Sequence, residues 1–382
     1  MKMHIPFVKT PLTGLEEQYL TDSINSGFHS GLGPYTKKVN DFIENKFKIA
    51  KSFLTTSCTD ALEMCSFLVN GKPGDEFIVP SYTFSSTANA FVSRGMVPVW
   101  AEIDEKTLNI NPNCIETLIT AKTKAIVIIH YAGIPSDMEE IMKIAKKYNL
   151  PVIEDAAQAF NSKYKGNYAG SLADLSTFSF HATKSYSCGE GGALGVNNTN
   201  YFERAEFLLE KGTDRTKVIQ GLQNKYSWVD NGSSFLLSDI LASILYGQVL
   251  QLDELQSKRK VLFDTYTEIF SNFKKTLNLR FIETPEYAEG NYHAFWVLFN
   301  TEKDRNEFLK LSRELGISPY IGYISLHNSP MGLRCGAKRI NLDFTEAVES
   351  RIARLPFYTM NELEIEYLEK GLSQVLEKLQ VL

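Results

Sequence analysis

The sequence predicts an α/β protein, with a mostly parallel central sheet in a large domain over residues 1–254 and a smaller α+β domain over 255–382. Three observations carry that expectation. Short β-branched runs alternate with helical patterns through the middle of the chain, as parallel strands joined by crossover helices do. After Asn198 the alternation gives way to a long stretch of sustained helical periodicity with few breakers. A chain of 382 residues is also longer than one hydrophobic core usually serves.

The elements follow in order. "DEFIVPSYTFSSTANAF" reads as strand, loop and helix, and "MVPVWAEID" as the next strand. The clearest unit begins with "KAIVIIHYAG", a strand from about Lys124. It continues through the helix "SDMEEIMKIAKKYN", with Asp137 near its start and Met138, Ile141, Met142 and Ala145 on one face, and closes with the strand "PVIEDAAQ". "TFSFHATKSYSCGEGGALGV" is a buried strand that runs to Lys184 and then turns through Gly189, Glu190, Gly191 and Gly192. "SDILASILYGQVLQLDELQSKRKVLFDTYTEIFSNF" is a long helix pair leading into the C-terminal domain. In that domain "YHAFWVLF" and "LGISPYIGYI" give strands and "ELEIEYLEKGLSQVLEKL" a closing helix.

Composition excludes several function classes. No segment approaches the roughly 18 uninterrupted apolar residues that cross a bilayer, and "MKMHIPFVKTP" lacks the apolar middle of a signal peptide, so a cytoplasmic protein is expected. The five cysteines are scattered without CxxC spacing, which argues against a disulfide framework or a zinc site; no metal is expected. A net charge of −5 without a lysine-rich stripe argues against a nucleic-acid surface. The expected partner is small.

Ligands of open parallel sheets collect beyond the carboxyl ends of the strands. Asp155 ends one strand there and Lys184 follows the next, so a carboxylate and an amine share one crevice. That pair suits pyridoxal 5′-phosphate, whose aldehyde condenses with a lysine and whose ring nitrogen must stay protonated to draw electrons. An aspartate keeps such a nitrogen cationic, and a desolvated lysine is a good nucleophile. "TTSCTDALEMCSFL" sets hydroxyls and backbone N–H groups before an apolar helical run starting at Ala61, an anion site for the phosphate. Ser179 adds a hydroxyl, and the glycine turn is expected to let the backbone pass close to the cofactor. Each residue alone also reads otherwise: Lys184 as an exposed lysine, Asp155 as a cap, Phe84 as core, His181 as a packed or satisfied side chain, the Ser/Thr run as a cap without ligand.

The set of motifs resembles the DegT/StrS sugar aminotransferases, which have the type I fold of pyridoxal-phosphate transferases, the aspartate aminotransferase-like fold. "IPFVKTPLTGLEE", "SGFHSGLGPYTKKVNDF", "LTTSCTDALEM", "GDEFIVPSYTFSSTANAF", "VIEDAAQAF", "FSFHATKSYSCGEGGAL" and "LHNSP" carry the likeness nearly end to end. Within the group it is similar to the dTDP-4-amino-4,6-dideoxygalactose transaminases. The resemblance implies that Lys184 is the covalent anchor, Asp155 the partner of the pyridine nitrogen, Gln158 a ligand of the phenolic oxygen and Phe84 the stacking plate. Cys58, Thr59 and Ser179 would hold the phosphate. It implies a homodimer with shared active sites, in which Ser234 of "GSSFLLSDILAS" stands where relatives carry the neighbour's asparagine. L-Glutamate is the implied donor and a dTDP-linked 4-keto-6-deoxyhexose the implied acceptor, with a 3-keto isomer as the alternative. Tyr320, Tyr323, His327 and Arg215 are the candidate substrate contacts. The apolar face formed by Leu237, Ile240, Leu241, Ile244 and Leu245 is expected to exceed what one chain buries. Two rival readings are a cysteine desulfurase using Cys335, activated by Arg334 and Lys338, and a cofactor-binding regulator without turnover.

Overall fold

The computed structural model describes residues 3–381. Its strands, in chain order, are β1 (Lys51–Thr55), β2 (Glu76–Pro80), β3 (Val97–Ala101), β4 (Thr123–Ile129), β5 (Val152–Asp155), β6 (Lys163–Tyr164), β7 (Asn167–Tyr168), β8 (Leu175–Ser179), β9 (Gly192–Val196), β10 (Arg280–Phe281), β11 (Ala288–Glu289), β12 (Trp296–Leu298), β13 (Tyr320–Ile321) and β14 (Ile352–Arg354). Seven form the central sheet, in the order β1-β9-β8-β5-β4-β2-β3. The pairings β2–β3, β2–β4, β4–β5 and β5–β8 are parallel, whereas β9 runs antiparallel to both β8 and β1. Its inner strands are buried on both faces, as a sheet covered by helices requires: all of β2, β5, β8 and β9 lie inside.

The crossover helix Met138–Tyr148 shows how sequence sets these elements. Ile141 and Ala145 recur on the buried face, Glu139 and Glu140 occupy the first turn and Lys146 and Lys147 the last, complementing the helix dipole. Asn149, at φ 52°, ends it in the left-handed conformation.

A second sheet, β10-β12-β14-β13, is antiparallel and packs with the helices Leu252–Phe273, Glu302–Glu314 and Glu362–Leu379. The closing helix begins with a capping box, Asn361 with Glu364. The helix Leu252–Phe273 joins both cores, with Leu252 and Leu255 in the central-sheet cluster and Leu262, Phe263 and Tyr266 in the C-terminal one. Ile5 also packs into the C-terminal cluster and exchanges backbone hydrogen bonds with Gly316 and Ser318. The division near residue 255 is retained as a proposal, with the N-terminal strap associated with the second unit.

Candidate active site

A cavity of about 470 Å³ opens at the carboxyl edge of the central sheet, facing the C-terminal unit, within the size range of cofactor and substrate pockets. It brings together Cys58, Thr59, Phe84, Asp155, Gln158, Ser179, Lys184, Tyr320 and Tyr323. Ser179 ends β8 and Asp155 ends β5. The expected strand to Lys184 stops at Ser179, and the lysine sits in the loop beyond, where no acid pairs with it among the described residues.

Asp155 is buried and held from two sides. Its Oδ2 accepts from the Thr87 hydroxyl at 2.7 Å and its Oδ1 from the Ala157 N–H at 3.1 Å. Since Thr87 spends its one hydrogen on the carboxylate, Thr83 donates to Thr87, at 2.8 Å. Burial pushes the Asp155 carboxyl up, and the Thr87 and Ala157 hydrogen bonds, Lys184 and His130 oppose it. The neighbouring Glu154, on the opposite strand face, fixes the frame: it accepts N–H bonds from Gly170, Leu172 and Ala173 and lies 2.9 Å from His130 Nε2.

The anion site forms as a helix start, three residues earlier than the apolar pattern indicated. The helix is Cys58–Leu68, with Ser57 as N-cap accepting from the Asp60 N–H. The Cys58 and Thr59 N–H groups therefore open the helix without intrahelical partners. Burial pushes the Cys58 thiol up, so it stays neutral and adds no negative charge there. Thr59 donates to Ser86 Oγ at 2.8 Å, which brings Ser86 into the wall.

Gly191 of the glycine turn lines the cavity, and Gly192 beside it has a packing part that the expectation did not include. Because β9 runs against its neighbours, its first residue, Gly192, lies at the same edge, in register with Thr55 and Ser179. A Cβ on Gly192 would collide with the Ser57 and Cys58 backbone, so this glycine lets the sheet close against the anion-binding helix start. Gly189, at φ 92°, takes the left-handed turn that leads there.

Phe84, an aromatic that would pass for core, is 57% exposed and faces the cavity. Gln158 accepts from Ala132 N–H at 2.8 Å and donates to Tyr323 Oη at 2.9 Å, which leaves one amide hydrogen for a ligand. His181 is neither buried nor packed; it bonds Thr183 and approaches Glu190 at the cavity rim.

Three site expectations fall outside this cavity. His327 is buried between Ser81 Oγ, at 2.6 Å, and Glu346, at 3.0 Å, and serves to tie the loop after β2 to the C-terminal unit. Arg215 pairs with Glu210 at 3.2 Å. Ser234 is exposed and bridges to Glu210, away from the cavity of its own chain. Of the helix face invoked for dimerisation, Leu237 and Leu245 are buried within the chain, where the helices Glu16–Ser26 and Pro34–Phe47 pack, whereas Ile240, Leu241 and Ile244 stay half-exposed. Cys335 is also outside the cavity, and burial pushes its thiol up despite Arg334, against the activated thiolate of a desulfurase.

Sequence reasoning missed Ser86, His293 and Arg354. His293 donates to or accepts from Ser185 Oγ at 3.0 Å, and burial, reinforced by Lys184, Arg259 and Arg354, holds its imidazole well below the usual range. A polar residue within the apolar run "YHAFWVLF" was its available signal.

An anion-binding helix start, a lysine free of ion pairs, a buried braced carboxylate and an exposed aromatic plate on one cavity fit pyridoxal phosphate. Together they define the class of pyridoxal-phosphate-dependent transferases. The comparisons place the chain further: residues 12–371 match the DegT/DnrJ/EryC1/StrS aminotransferase family, and the chain belongs to it as a pyridoxal-phosphate-dependent sugar aminotransferase. It is 32% identical over 357 residues to an uncharacterized protein of Methanocaldococcus jannaschii, covering 91% of each chain. It is 32% identical over 333 residues to the GDP-perosamine synthase of Escherichia coli O157:H7, covering 86% of this chain and 87% of that one. Spr1654 from Streptococcus pneumoniae, in its PLP-form, shares the fold at TM-score 0.89 and 24% identity, covering 99% of this chain and 100% of that one. Among the described residues no helix is long and apolar enough to cross a membrane.

Proposed function

We propose that the enzyme transfers an amino group from L-glutamate to C4 of dTDP-4-keto-6-deoxyglucose, making a dTDP-4-amino-4,6-dideoxyhexose for a surface polysaccharide. The carrying observation is that the motifs likened to the 4-amino-sugar enzymes, "PSYTFSSTANAF", "SFHATK" and "GEGGA", supply Thr83, Phe84, Ser86, Ser179, Lys184 and Gly191 around one cavity. When bound, the cofactor supplies an aldehyde for amines and an electron sink. Lys184 Nζ would anchor it, and the same amine would serve as the base that moves a proton at the substrate carbon. Asp155, braced by Thr87 and Ala157, holds the ring nitrogen protonated, and Cys58, Thr59 and Ser179 hold the phosphate. Phe84 covers the ring and Gln158 offers its remaining N–H to the phenolic oxygen. His293, kept neutral by burial, adds no further positive charge beside Lys184.

The active unit in this reading is a homodimer. Ile219, Leu222, Tyr226, Trp228 and Val229 crowd five exposed large apolar side chains into one short excursion, and Arg215 and Ser234 flank it. A partner covering this excursion would bring those residues to the other chain's site, where their own cavity does not need them.

The test is incubation with L-glutamate and each keto sugar separately, on dTDP and GDP carriers, followed by NMR of the product. Amination at C4 of the dTDP sugar supports the reading. Amination only at C3, or only of the GDP sugar, overturns the assigned acceptor. The H3–H4 and H4–H5 couplings fix whether the amine is axial or equatorial.

A further inference from the structure

A buried imidazole lines the cavity without a contact that the chemistry above uses. His293 stands just before β12, and its place is built from the backbone upward. Tyr292, the residue ahead of it, takes the left-handed conformation at φ 57°, which a tyrosine adopts only at a cost. Arg259, buried on the helix Leu252–Phe273, clamps that turn by donating to the backbone carbonyls of Tyr292, at 2.9 Å, and His293, at 2.5 Å. The Arg259 guanidinium is held in turn against Phe357, 4.8 Å from the ring centre. The imidazole fixed in this way meets the Ser185 hydroxyl through Nδ1 at 3.0 Å, and Ser185, itself buried, follows Lys184 in the chain. Among the described residues no hydrogen bond reaches His293 Nε2.

A strained turn clamped by a buried arginine holds this side chain in place at a cost, and the partner it meets is the lysine's neighbour. We infer that His293 is a positioning residue for Lys184: through Ser185 it fixes the loop past β8 and so aims Nζ along the cavity at the reacting carbon. The inference rests on Lys184 being the anchor and base proposed above. Lys184 ends on a flexible four-carbon stem, and β8 stops before its backbone. The backbone bonds of the loop, from Lys184 N–H to His181 and from Ala182 N–H to Gly189, stay within the loop itself. The Ser185 hydroxyl ties it to the segment before β12 instead, on the far wall of the cavity. Misplacing a catalytic group by about 1 Å costs on the order of 100-fold in rate. Imidazole suits the task because it stays uncharged: burial, then Lys184, Arg259 and Arg354, hold it well below its usual range, so the tie persists over the working pH and sets no charge against the amine.

The experiment follows single-turnover half-reactions of the holoenzyme by the cofactor's visible absorption, with L-glutamate and with the keto sugar that the wild type aminates. Ser185→Ala, His293→Leu, His293→Asn and His293→Gln are compared, with cofactor content and melting temperature measured on each. Ser185→Ala and His293→Leu are expected to slow both half-reactions by a common factor, on the order of 10- to 100-fold per bound cofactor, with half-saturation unchanged within a few-fold. The double variant is no slower than His293→Leu, because both changes cut one link. His293→Asn, which sets a polar atom where Nδ1 stood, regains most of the rate, and His293→Gln, which sets one where Nε2 stood, does not. Wild-type rates in Ser185→Ala overturn the inference. So does rescue by Gln in place of Asn, or a loss confined to one half-reaction, either of which would make His293 a ligand contact. Lower cofactor content and melting temperature with unchanged rates per bound cofactor would make it structural and overturn the inference too. Lys184→Ala with an unchanged visible band overturns the anchor reading itself, whereas a lost band beside wild-type rates in Ser185→Ala overturns the positioning role alone.

Discussion

Replacing Thr87 by valine removes one hydroxyl from beneath the active site and leaves its volume nearly unchanged. The hydroxyl donates to Asp155 Oδ2 at 2.7 Å inside the protein, a hydrogen bond to a charged acceptor. Such bonds contribute about 1.5–3 kcal/mol, and one pH unit corresponds to about 1.4 kcal/mol between protonation states. The bond favours the carboxylate, so its loss adds to the upward push that burial already exerts. The acid limb of the glutamate half-reaction therefore moves up by about one to two pH units in Thr87→Val. The deficit grows as the pH falls and closes at alkaline pH, where Asp155 is ionised in either protein. Thr87→Ser keeps the donor and restores the wild-type limb. The assay is single-turnover decay of the cofactor band from pH 5 to pH 9, with cofactor content and melting temperature measured alongside. A coincident acid limb, or a loss equal at every pH, would show that Thr87 packs but does not tune Asp155.

Lys184→Ala abolishes the visible band of the covalently held cofactor and all turnover; an unchanged spectrum would place the anchor elsewhere. Asp155→Asn separates stability from function. Its folded carboxyl is raised, so what it contributes to stability is complete below the unfolded carboxylate range and is lost as pH rises through the folded value. At pH 7 the cofactor-free Asn variant is therefore expected to melt above cofactor-free wild type, with the difference vanishing below about pH 4, while turnover falls by several orders of magnitude; equal melting at pH 7, or near wild-type kcat, refutes the assignment. Phe84→Ala weakens cofactor retention about 10-fold, as the loss of one stacking contact would, with little change in melting because the ring is 57% exposed; a large melting shift would make it a core residue. Trp228→Glu, at a side chain 81% exposed, shifts sedimentation from dimer toward monomer and lowers activity, whereas a fully active monomer would exclude the shared-site dimer.

The positions of Asp155, Lys184 and Ser179 were legible in the sequence because each follows from local pattern: a parallel strand exposes its carboxyl end, and the residues just past it meet the crevice; Phe84 reads as core by pattern, and only the resemblance sets it in the site. The helix Met138–Tyr148 was legible because its one-sided periodicity is strong, whereas Asp239–Leu250 is apolar nearly all round and was legible from its length and lack of breakers. Contacts made across the chain were not. Arg354 and His293 belong to strands and loops more than a hundred residues from Lys184, and nothing in "ARLPF" or "YHAF" says which face meets the cavity. His327 misled because its neighbours Ser81 and Glu346, which consume both ring nitrogens, come from other elements. The apolar face after Ser234 was legible only in part, because the two N-terminal helices that cover Leu237 and Leu245 but leave Ile240, Leu241 and Ile244 half-exposed lie about two hundred residues away in sequence.

The reversed strand β9 ties these findings together. A fully parallel arrangement would place its glycine turn at the far edge of the sheet; running antiparallel, it sets Gly192 against the helix start at Ser57 and Cys58 and leaves Lys184 on the loop between β8 and β9. The lysine is thus tethered by both strands beside that helix start, while Asp155 is braced by Thr87 from the helix Ser85–Val92 and by the Ala157 N–H just past its own strand. The resulting cavity has an amine without an ion pair, the Arg354 guanidinium beside Tyr323, a neutral imidazole and one buried carboxylate, a balance that favours anionic ligands. Phosphate at the helix start would help to complete it, and the pyridinium nitrogen would answer Asp155. Each ligand binds the folded chain and not the unfolded one, so cofactor and donor should stabilise the protein in steps.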